Sequence, residues 1–522
     1  MNITESLNRI CSLEHFPPPP SGDSVPLCET EGRLIYCLPE FVNLHLYTKA
    51  VDNLPEVVIT RDMLHNAAAH SNINVFLPVT ENIWKRLQNA WYENGFREAL
   101  QIAAQSEEDV NSLLKFCSIQ TLSLMNKVNR ICSRIPLLSS KDTEIQQQPG
   151  GKECIVCIEW HPHCKKIALA TRDDSVRVFS SHTKLVPLLK CKVQRNVSCL
   201  AWRPLSTSDL AVGCASGILI WTVDPNSVVM RPSSSTAVLL QRKDHTEISS
   251  IAFSADGSLL VSASRLNQLM MVWEVSTERA TCLKRIGGGG ISLVTWAPDN
   301  RKVFAATSRL VFRVWSSWQQ WVPERWSLAS GHVVSACWSP CSSALLFVTS
   351  LEPTIYALTF GQIASVFTTE DRRGAVRVAD LTAISVPSGN RVVRVGGEVN
   401  QMVWDGRGRH LAVTFHDSDL IAVFLTNIST TVHVSPCCFI KGEPGEKPNV
   451  ITFQKNFEEG ANLTIAWSSH RVQYFPFIYQ ELGSSNTIGS PGYVTGPLES
   501  SLQTSHIAGK SYSDLPSFML SP

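Results

Sequence analysis

The hydrophobic pattern between about residue 140 and residue 480 has a period of two and repeats seven times. In each repeat an alternating segment ends in an aromatic residue, and a second aromatic residue follows 18 to 21 positions later. Alternation is typical of half-buried β-strands, and a repeat of roughly 40–45 residues is typical of a propeller blade. We therefore predict an all-β, seven-bladed β-propeller over residues 140–480. The seven aromatic anchors are Trp160, Trp202, Phe253, Trp296, Trp338, Trp404 and Phe453.

The distance between successive anchors varies from 42 to 66 residues, whereas the distance inside a repeat is nearly constant. Paired strands must keep their register, and surface loops tolerate insertions. The variation is therefore expected in the connections. Closing such a ring commonly takes a strand from the other end of the chain. Two segments are candidates, Leu34–Leu38 and the residues just before Cys154.

Residues 80–136 change to a helical period. Trp84, Leu87 and Trp91 recur at helical spacing behind Thr80, which is a plausible N-cap. This pattern predicts a small α-helical segment of two or three helices.

The two ends of the chain carry no such pattern. Residues 1–79 are irregular, apart from the one potential strand that could join the propeller. Residues 481–522 contain 10 Ser, 5 Gly and 4 Pro, a composition that predicts a disordered tail.

Composition and charge exclude several classes of function. The formal net charge is +1, so the chain lacks the basic footprint of a nucleic-acid-binding protein and we expect no direct contact with nucleic acid. We find neither a signal peptide nor an apolar run long enough to span a membrane. We therefore expect a chain of the cytosol or nucleus that meets a membrane only through a partner. In that reducing setting the 16 cysteines are interpreted as small buried hydrophobes.

Short motifs in the repeats resemble the WD40 family. Tryptophan followed two positions later by proline recurs at strand ends, Asp256-Gly257 makes a tight turn, and His245 and Gly331-His332 lie upstream of anchors. The Trp-Asp pair that gives the family its name is absent from the strand ends, and Trp273-Glu274 comes nearest to it. The resemblance implies the propeller fold and a role in binding other proteins.

From about residue 11 to residue 480, further runs outside the repeat consensus are similar to the WD-repeat nucleoporins. This resemblance implies a non-catalytic scaffold or adaptor of the nuclear pore complex, held at the nuclear envelope through a transmembrane nucleoporin. It also implies other nucleoporins, protein cargo or transport factors as partners, and a place in the cytoplasm and at spindle poles in mitosis. Among the matching runs are Asp173–Val178, Gln194–Val197, Val311–Trp315, Met402–Asp405 and Gly442–Gly445.

A zinc site is the first chemical alternative, because Cys154 and Cys157 precede His161, His163 and Cys164. Four ligands must converge on one point. On an alternating strand the two cysteines face opposite sides of the sheet, so we predict no metal site here.

Catalysis and phosphate binding are the other chemical alternatives. No G-x-S-x-G nucleophile turn is present, and the Gly287–Gly290 run lacks the lysine and the helix that a phosphate loop needs. We expect His245, Ser262 or Ser264, and Trp273 to form a structural hydrogen-bond chain instead. We predict no catalytic residue and no cofactor.

Candidate partner contacts come from two loops. Trp318 and Trp321 follow a predicted strand end, where a tryptophan either packs on the next blade or anchors a partner. Arg372 and Arg373 lie in the longest interval between anchors, where an arginine pair is either solvated or a contact with a partner.

A general cytosolic adaptor, such as a substrate receptor of a ubiquitin ligase, remains the alternative function. An enzyme would need convergent catalytic groups at the mouth of the central channel.

Overall fold

The computed structural model describes the chain almost completely from Ile155 to Tyr479, and in short pieces elsewhere. Contacts divide the chain into two compact units, residues 1–67 with 153–522, and residues 68–152. Apart from Gln120, every described residue belongs to the first unit. The described ranges are 10–19, 25–30, 33–37, 54–60, 63, 120, 155–183, 185–223, 229–284, 289–360, 374–388, 391–429, 431–479 and 494–495.

Seven antiparallel sheets form the blades of one propeller. The inner strand of each blade contacts the inner strand of the next, and that of blade 7 contacts that of blade 1, so the ring is closed. From the inner strand outwards, blade 1 consists of Ile155–Trp160, Lys166–Thr171, Val176–Ser180 and Leu188–Leu189, and blade 2 of Cys199–Trp202, Asp209–Cys214, Gly217–Thr222 and Val238–Leu240. Blade 3 consists of Ile248–Phe253, Leu259–Ser264, Leu269–Glu274 and Arg279–Lys284, and blade 4 of Ile291–Trp296, Lys302–Thr307, Val311–Ser316 and Val322–Ser327. Blade 5 consists of Val333–Trp338, Ala344–Thr349, Thr354–Thr359 and Val376–Asp380, and blade 6 of Val399–Trp404, His410–Phe415, Leu420–Ile428 and Val432–Lys441. Blade 7 consists of Pro448–Phe453, Gly460–Trp467 and Val472–Ile478.

Every predicted anchor ends the inner strand of a blade, and the second aromatic residue of every repeat lies in the third strand. The second strands are the most deeply buried; Ala344–Thr349, for example, is buried along its whole length. The hydrophobic clusters bridge neighbouring blades, so each blade completes its core only in the ring. The seven-bladed propeller is thus confirmed.

The longest interval between anchors is explained in part by a two-stranded hairpin between blades 5 and 6, in which Ile384–Ser388 pairs with Arg391–Val395.

Side chains on the inner strands bind the backbone of the next blade. Ser335 Oγ accepts from Met402 N at 3.1 Å and donates to its carbonyl at 3.2 Å. Gln401 bonds both backbone groups of Ile451 in the same way, at 2.9 and 3.0 Å. Because each pair satisfies a donor and an acceptor, these contacts fix the register between blades.

Within the described residues, blades 7 and 1 exchange no strand, and the candidate closing segment just before Cys154 lies outside them. Trp160 Nε1 donates to Thr464 Oγ1 at 2.8 Å inside the seam, and Asn449 Nδ2 donates to the carbonyl of Ile155 at 2.9 Å. Lys455 Nζ lies 2.6 Å from Glu159 Oε1 at the surface. Side chains therefore join the two blades at this seam, and the described part of blade 7 has three strands.

Pieces of the N-terminal segment lie along the outside of the closing blades, and we call its described pieces 10–16, 25–30 with 33–37, and 54–60 the strap. Its first piece covers the seam between blades 5 and 6. Cys11–Ser12 pairs in parallel with Val376–Asp380, the outer strand of blade 5. Phe16 stacks on Phe439 of blade 6, with ring centroids 4.6 Å apart. Gly396 has a φ of +99°, and a Cβ there would lie 2.8 Å from Leu13 Cδ1, so this glycine lets the strap approach.

The other two pieces of the strap cover the next two seams in order. Val25–Thr30 and Arg33–Cys37 form a hairpin; Leu34 packs into the cluster shared by blades 6 and 7. The third piece packs Leu54, Val57 and Ile59 against the cluster between blades 7 and 1. Tyr474 of blade 7 donates its hydroxyl to the carbonyl of Pro55 at 2.7 Å. The strap therefore covers three consecutive seams, including the one that closes the ring.

Other predictions for the flanks are partly outside the described residues. The predicted strand near Leu34–Leu38 is Arg33–Cys37, but it pairs with Val25–Thr30 and does not enter blade 7. A single bridge, Glu29 to Tyr479, joins this hairpin to the end of blade 7. The predicted helical segment 80–136 lies outside the described residues except Gln120. In the tail, for which the sequence predicts disorder, the described residues Val494–Thr495 form a short strand on Arg33–Cys37.

Two 3-10 helices are described, Leu13–His15 and Ser234–Thr236. Within the described ranges no helix is both long and apolar enough to cross a membrane.

Candidate functional site

The predicted partner contacts have different environments. Trp318 lies in the turn between the third and outer strands of blade 4 and is 65% exposed. Trp321, at the end of the same turn, packs edge-on against Trp296, with ring centroids 5.9 Å apart. Trp318 is thus available to a partner, whereas Trp321 contributes to packing within the blade. Arg372 and Arg373 lie outside the described residues.

Those residues considered for zinc that the structure describes are engaged in other contacts or lack the properties of ligands. Both ring nitrogens of His161 are engaged: Nδ1 accepts from the backbone N–H groups of His163 and Cys164, and Nε2 lies 2.8 Å from the Ser206 carbonyl. Burial lowers the pKa of His161 to about 4. Burial raises the pKa of the Cys157 thiol well above its ordinary value, whereas a zinc ligand must be a thiolate. Cys154 is not among the described residues, and no metal-binding group of three or more His, Cys, Asp or Glu is found among those that are.

The predicted hydrogen-bond chain in blade 3 is confirmed. His245 Nε2 lies 2.7 Å from Ser262 Oγ, and Trp273 Nε1 donates to the same oxygen at 2.9 Å. Ser264 instead donates to the Thr246 carbonyl at 2.6 Å. Burial lowers the pKa of His245 to about 4. The neutral imidazole therefore holds the loop that enters blade 3 against its second and third strands.

A cluster of ionisable groups, some of them fully buried, joins the strap to blades 6 and 7. Glu29 Oε2 lies 2.7 Å from His410 Nε2, and both side chains are fully buried. Arg409 Nη2 lies 3.1 Å from the other carboxylate oxygen of Glu29. His410 Nδ1 lies 2.8 Å from the hydroxyl of Tyr479, which donates to Asp405 Oδ2 at 3.4 Å. We call these five residues the strap cluster.

The Glu29–His410 contact acts as an ion pair. The two atoms are close, but neither has a partner in good hydrogen-bond geometry, so their attraction is mainly Coulombic. Burial lowers the pKa of His410, but contacts with the Cys437 sulfur and the Glu29 carboxylate outweigh burial and raise the pKa to about 9. His410 is therefore charged at neutral pH and holds the carboxylate of the strap.

A thiol, an imidazole and a carboxylate in contact invite a catalytic interpretation, with Cys437 as nucleophile. A contact with Cys438, together with burial, raises the pKa of the Cys437 thiol well above its ordinary value. Because the thiolate is the nucleophilic form, a neutral buried thiol does not serve that role. The arrangement instead fastens the strap to the ring.

The strap cluster predicts a particular pH dependence. A histidine whose pKa is raised from about 6.5 by folding stabilises the protein fully below that value, and the stabilisation is lost as the pH rises through about 9. We expect urea unfolding to show the largest difference in stability between the unchanged chain and a Glu29→Gln variant near about pH 6. That difference should shrink steadily towards about pH 9.5. An equal difference at both pH values would contradict a charged His410.

Sequence reasoning missed the strap cluster. Glu29 lies in an irregular segment, and Arg409 and His410 follow it by 380 residues or more. No local spacing connects such positions. The one available signal was Tyr36 and its neighbours, which indicated a strand in the N-terminal segment without indicating which blade it joins.

The chain is similar to several known proteins. Aladin of Arabidopsis thaliana is 27% identical over 352 residues, which cover 62% of this chain and 76% of the relative. Meiotic fizzy-related protein 2 of Schizosaccharomyces pombe is 31% identical over 105 residues, covering 20% of this chain and 18% of that protein. A solved structure, the Cps50 (Swd1) β-propeller domain of Myceliophteria thermophila, covers 62% of this chain and 97% of its own, with a TM-score of 0.47 and 13% identity. The aladin seven-bladed propeller family matches residues 145–478, well over half of the chain, and the chain belongs to that family.

Proposed function

We propose that this chain is a non-catalytic scaffold of the nuclear pore complex that supports nucleocytoplasmic transport of protein cargo. Its membership of the aladin propeller family carries the proposal. In this proposal a transmembrane nucleoporin holds the chain at the nuclear envelope, and other nucleoporins, cargo or transport factors bind its surface. In mitosis a fraction is proposed to lie at the spindle poles and in the cytoplasm.

The architecture supports a scaffold in three ways. A closed ring presents many turns on a rigid frame, so several partners can bind at once. The constellations that could have supported chemistry are engaged in packing, because His161, His245 and His410 all bond within the fold. Trp318 is an exposed anchor of the kind that partner surfaces favour.

Fluorescence imaging of the tagged chain in interphase cells tests the proposal. We expect a punctate nuclear rim for the full-length chain and for residues 1–480, because the proposed anchoring does not involve the tail. A diffuse cytosolic signal for the full-length chain would contradict the proposal and favour the general adaptor.

A Trp318→Ala variant, compared with Trp321→Phe, tests whether the exposed tryptophan contributes to the rim signal.

A further inference from the structure

The seven blades differ in the turn that joins their second and third strands, and these turns all lie on one side of the ring, which we call the turn face. In blade 1 this turn contains an exposed Arg172 next to Asp173, which is buried and paired with Lys190, whereas in blade 6 it contains Asp417 and Asp419. In blades 3 and 4 the same turn contains arginine followed by leucine. Charge is therefore segregated around the turn face, with an acidic turn in blade 6 and basic, apolar turns in blades 3 and 4.

The basic and apolar part of the turn face spans three adjacent blades. Arg265 and Leu266 form the turn of blade 3, Arg309 and Leu310 that of blade 4, and Leu351 lies in that of blade 5. The three leucines are 63%, 43% and 67% exposed, in that order. A single exposed leucine is ordinary, but three at matching turns of adjacent blades form a patch. We call these five residues the arginine–leucine patch.

Two glycines in the connection between blades 3 and 4 lie against the two arginine turns. A Cβ on Gly290 would lie 1.8 Å from the carbonyl oxygen of Arg265, and a Cβ on Gly289 would lie 3.6 Å from Arg309 Cγ. The connection between blades 3 and 4 therefore passes directly between the two arginine turns. Only glycine permits that approach at position 290.

The patch carries a net positive charge. Arg265 and Arg309 are exposed, and neither makes an ion pair in the part of the chain that the structure describes. The carboxylate of Glu352, next to Leu351, accepts a hydrogen bond from Tyr356 and is the one negative charge in the three turns.

The neighbouring loop does not neutralise the patch either. The loop that enters blade 3 carries Asp244 and Glu247 together with Arg242 and Lys243, so it adds no net charge.

We propose that the arginine–leucine patch is a docking site for an acidic peptide segment of a partner protein, in which carboxylates alternate with large apolar side chains. Carboxylates suit the arginines because the guanidinium group forms paired hydrogen bonds with them. Apolar side chains suit the three exposed leucines, whose burial removes apolar surface from water. The acidic turn of blade 6 repels the same segment from that side of the turn face. This proposal deepens the proposed function by stating the chemistry of one partner.

Fluorescence anisotropy with purified full-length chain tests the site directly. The probes are labelled peptides of about twelve residues, one alternating Glu with Leu, one alternating Gln with Leu, and one alternating phosphoserine with Leu. At low ionic strength we expect the Glu–Leu peptide to bind about tenfold more tightly than the Gln–Leu peptide. Reversing both charges, in Arg265→Glu with Arg309→Glu, should reduce its affinity by at least about tenfold.

Matched controls lie on the opposite face of the ring. Arg301 is an exposed arginine in the turn between the first two strands of blade 4, and Leu205 is an exposed leucine in the matching turn of blade 2. Arg301→Glu and Leu205→Ser should leave binding unchanged, whereas Leu310→Ser should weaken it.

Equal binding of the Glu–Leu and Gln–Leu peptides, equal loss in the Arg301→Glu control, or binding of the phosphoserine peptide alone would each overturn the proposal. Because the test uses purified protein, its failure is separate from failure of the chain to reach the nuclear rim.

Discussion

Replacing Glu29 with Gln is expected to lower the free energy of unfolding by about 3 kcal/mol. The substitution keeps the shape of the side chain but removes the charge that faces His410 at 2.7 Å and Arg409 at 3.1 Å. His410 is fully buried, so it then has to remain charged without a partner or lose its proton. Either alternative costs free energy in the folded state. Urea unfolding at neutral pH measures the change.

The strap itself offers a matched control for this substitution. Glu14 is an exposed glutamate in the short helix Leu13–His15, and Glu14→Gln should change stability by less than about 0.5 kcal/mol. A Glu29→Gln variant as stable as the Glu14→Gln variant would show that the ion pair does not hold the strap. A His410→Ala variant gives an independent check, because it removes the other member of the pair.

Replacing Phe16 with Ala is expected to release the first piece of the strap and to destabilise the protein by about 3–5 kcal/mol. Phe16 is 8% exposed; it stacks on Phe439 and meets Phe424 edge-on, with centroids 4.8 Å apart. Truncation leaves a cavity between two rings of blade 6 that are themselves buried. Urea unfolding, with limited proteolysis of the N-terminal segment, measures both effects.

The control for Phe16 is an apolar strap residue that faces solvent. Ile10 is 45% exposed, and Ile10→Ala should leave both stability and proteolysis nearly unchanged. Phe16→Leu should retain most of the stability, since it keeps an apolar group of similar volume. A Phe16→Ala variant with unchanged unfolding and unchanged proteolysis would contradict the packing of the strap on blade 6.

The blades could be predicted from the sequence because each one is local. Strand, turn and strand follow one another within about 40 residues, and an aromatic anchor such as Trp160 or Phe253 marks the end of the inner strand in every case. The insertion between blades 5 and 6 was visible as a long interval. Its hairpin was not foreseen, because Ile384–Ser388 and Arg391–Val395 contain no aromatic anchor.

The strap and the site residues show where local reasoning fails. Nothing near Glu29 in the sequence indicates a partner 380 residues away, and a glutamate is ordinarily assigned to the surface. Trp318 and Trp321 lie three residues apart with similar neighbours, yet the first faces solvent and the second packs on Trp296. That difference depends on how the turn folds over the blade, which hydrophobic spacing does not specify.

The central claim is that the strap packs on three consecutive seams of the ring and is part of the folded propeller. Hydrogen–deuterium exchange of the full-length chain tests it most directly, because buried, hydrogen-bonded backbone exchanges only when it opens. We predict that the hydrogen-bonded pieces of the strap, residues 11–16, 25–30 and 33–37, are protected in the unchanged chain and that protection of residues 25–30 and 33–37 falls selectively in the Glu29→Gln variant. Complete exchange of these pieces within seconds, while the blades stay protected, would contradict the claim.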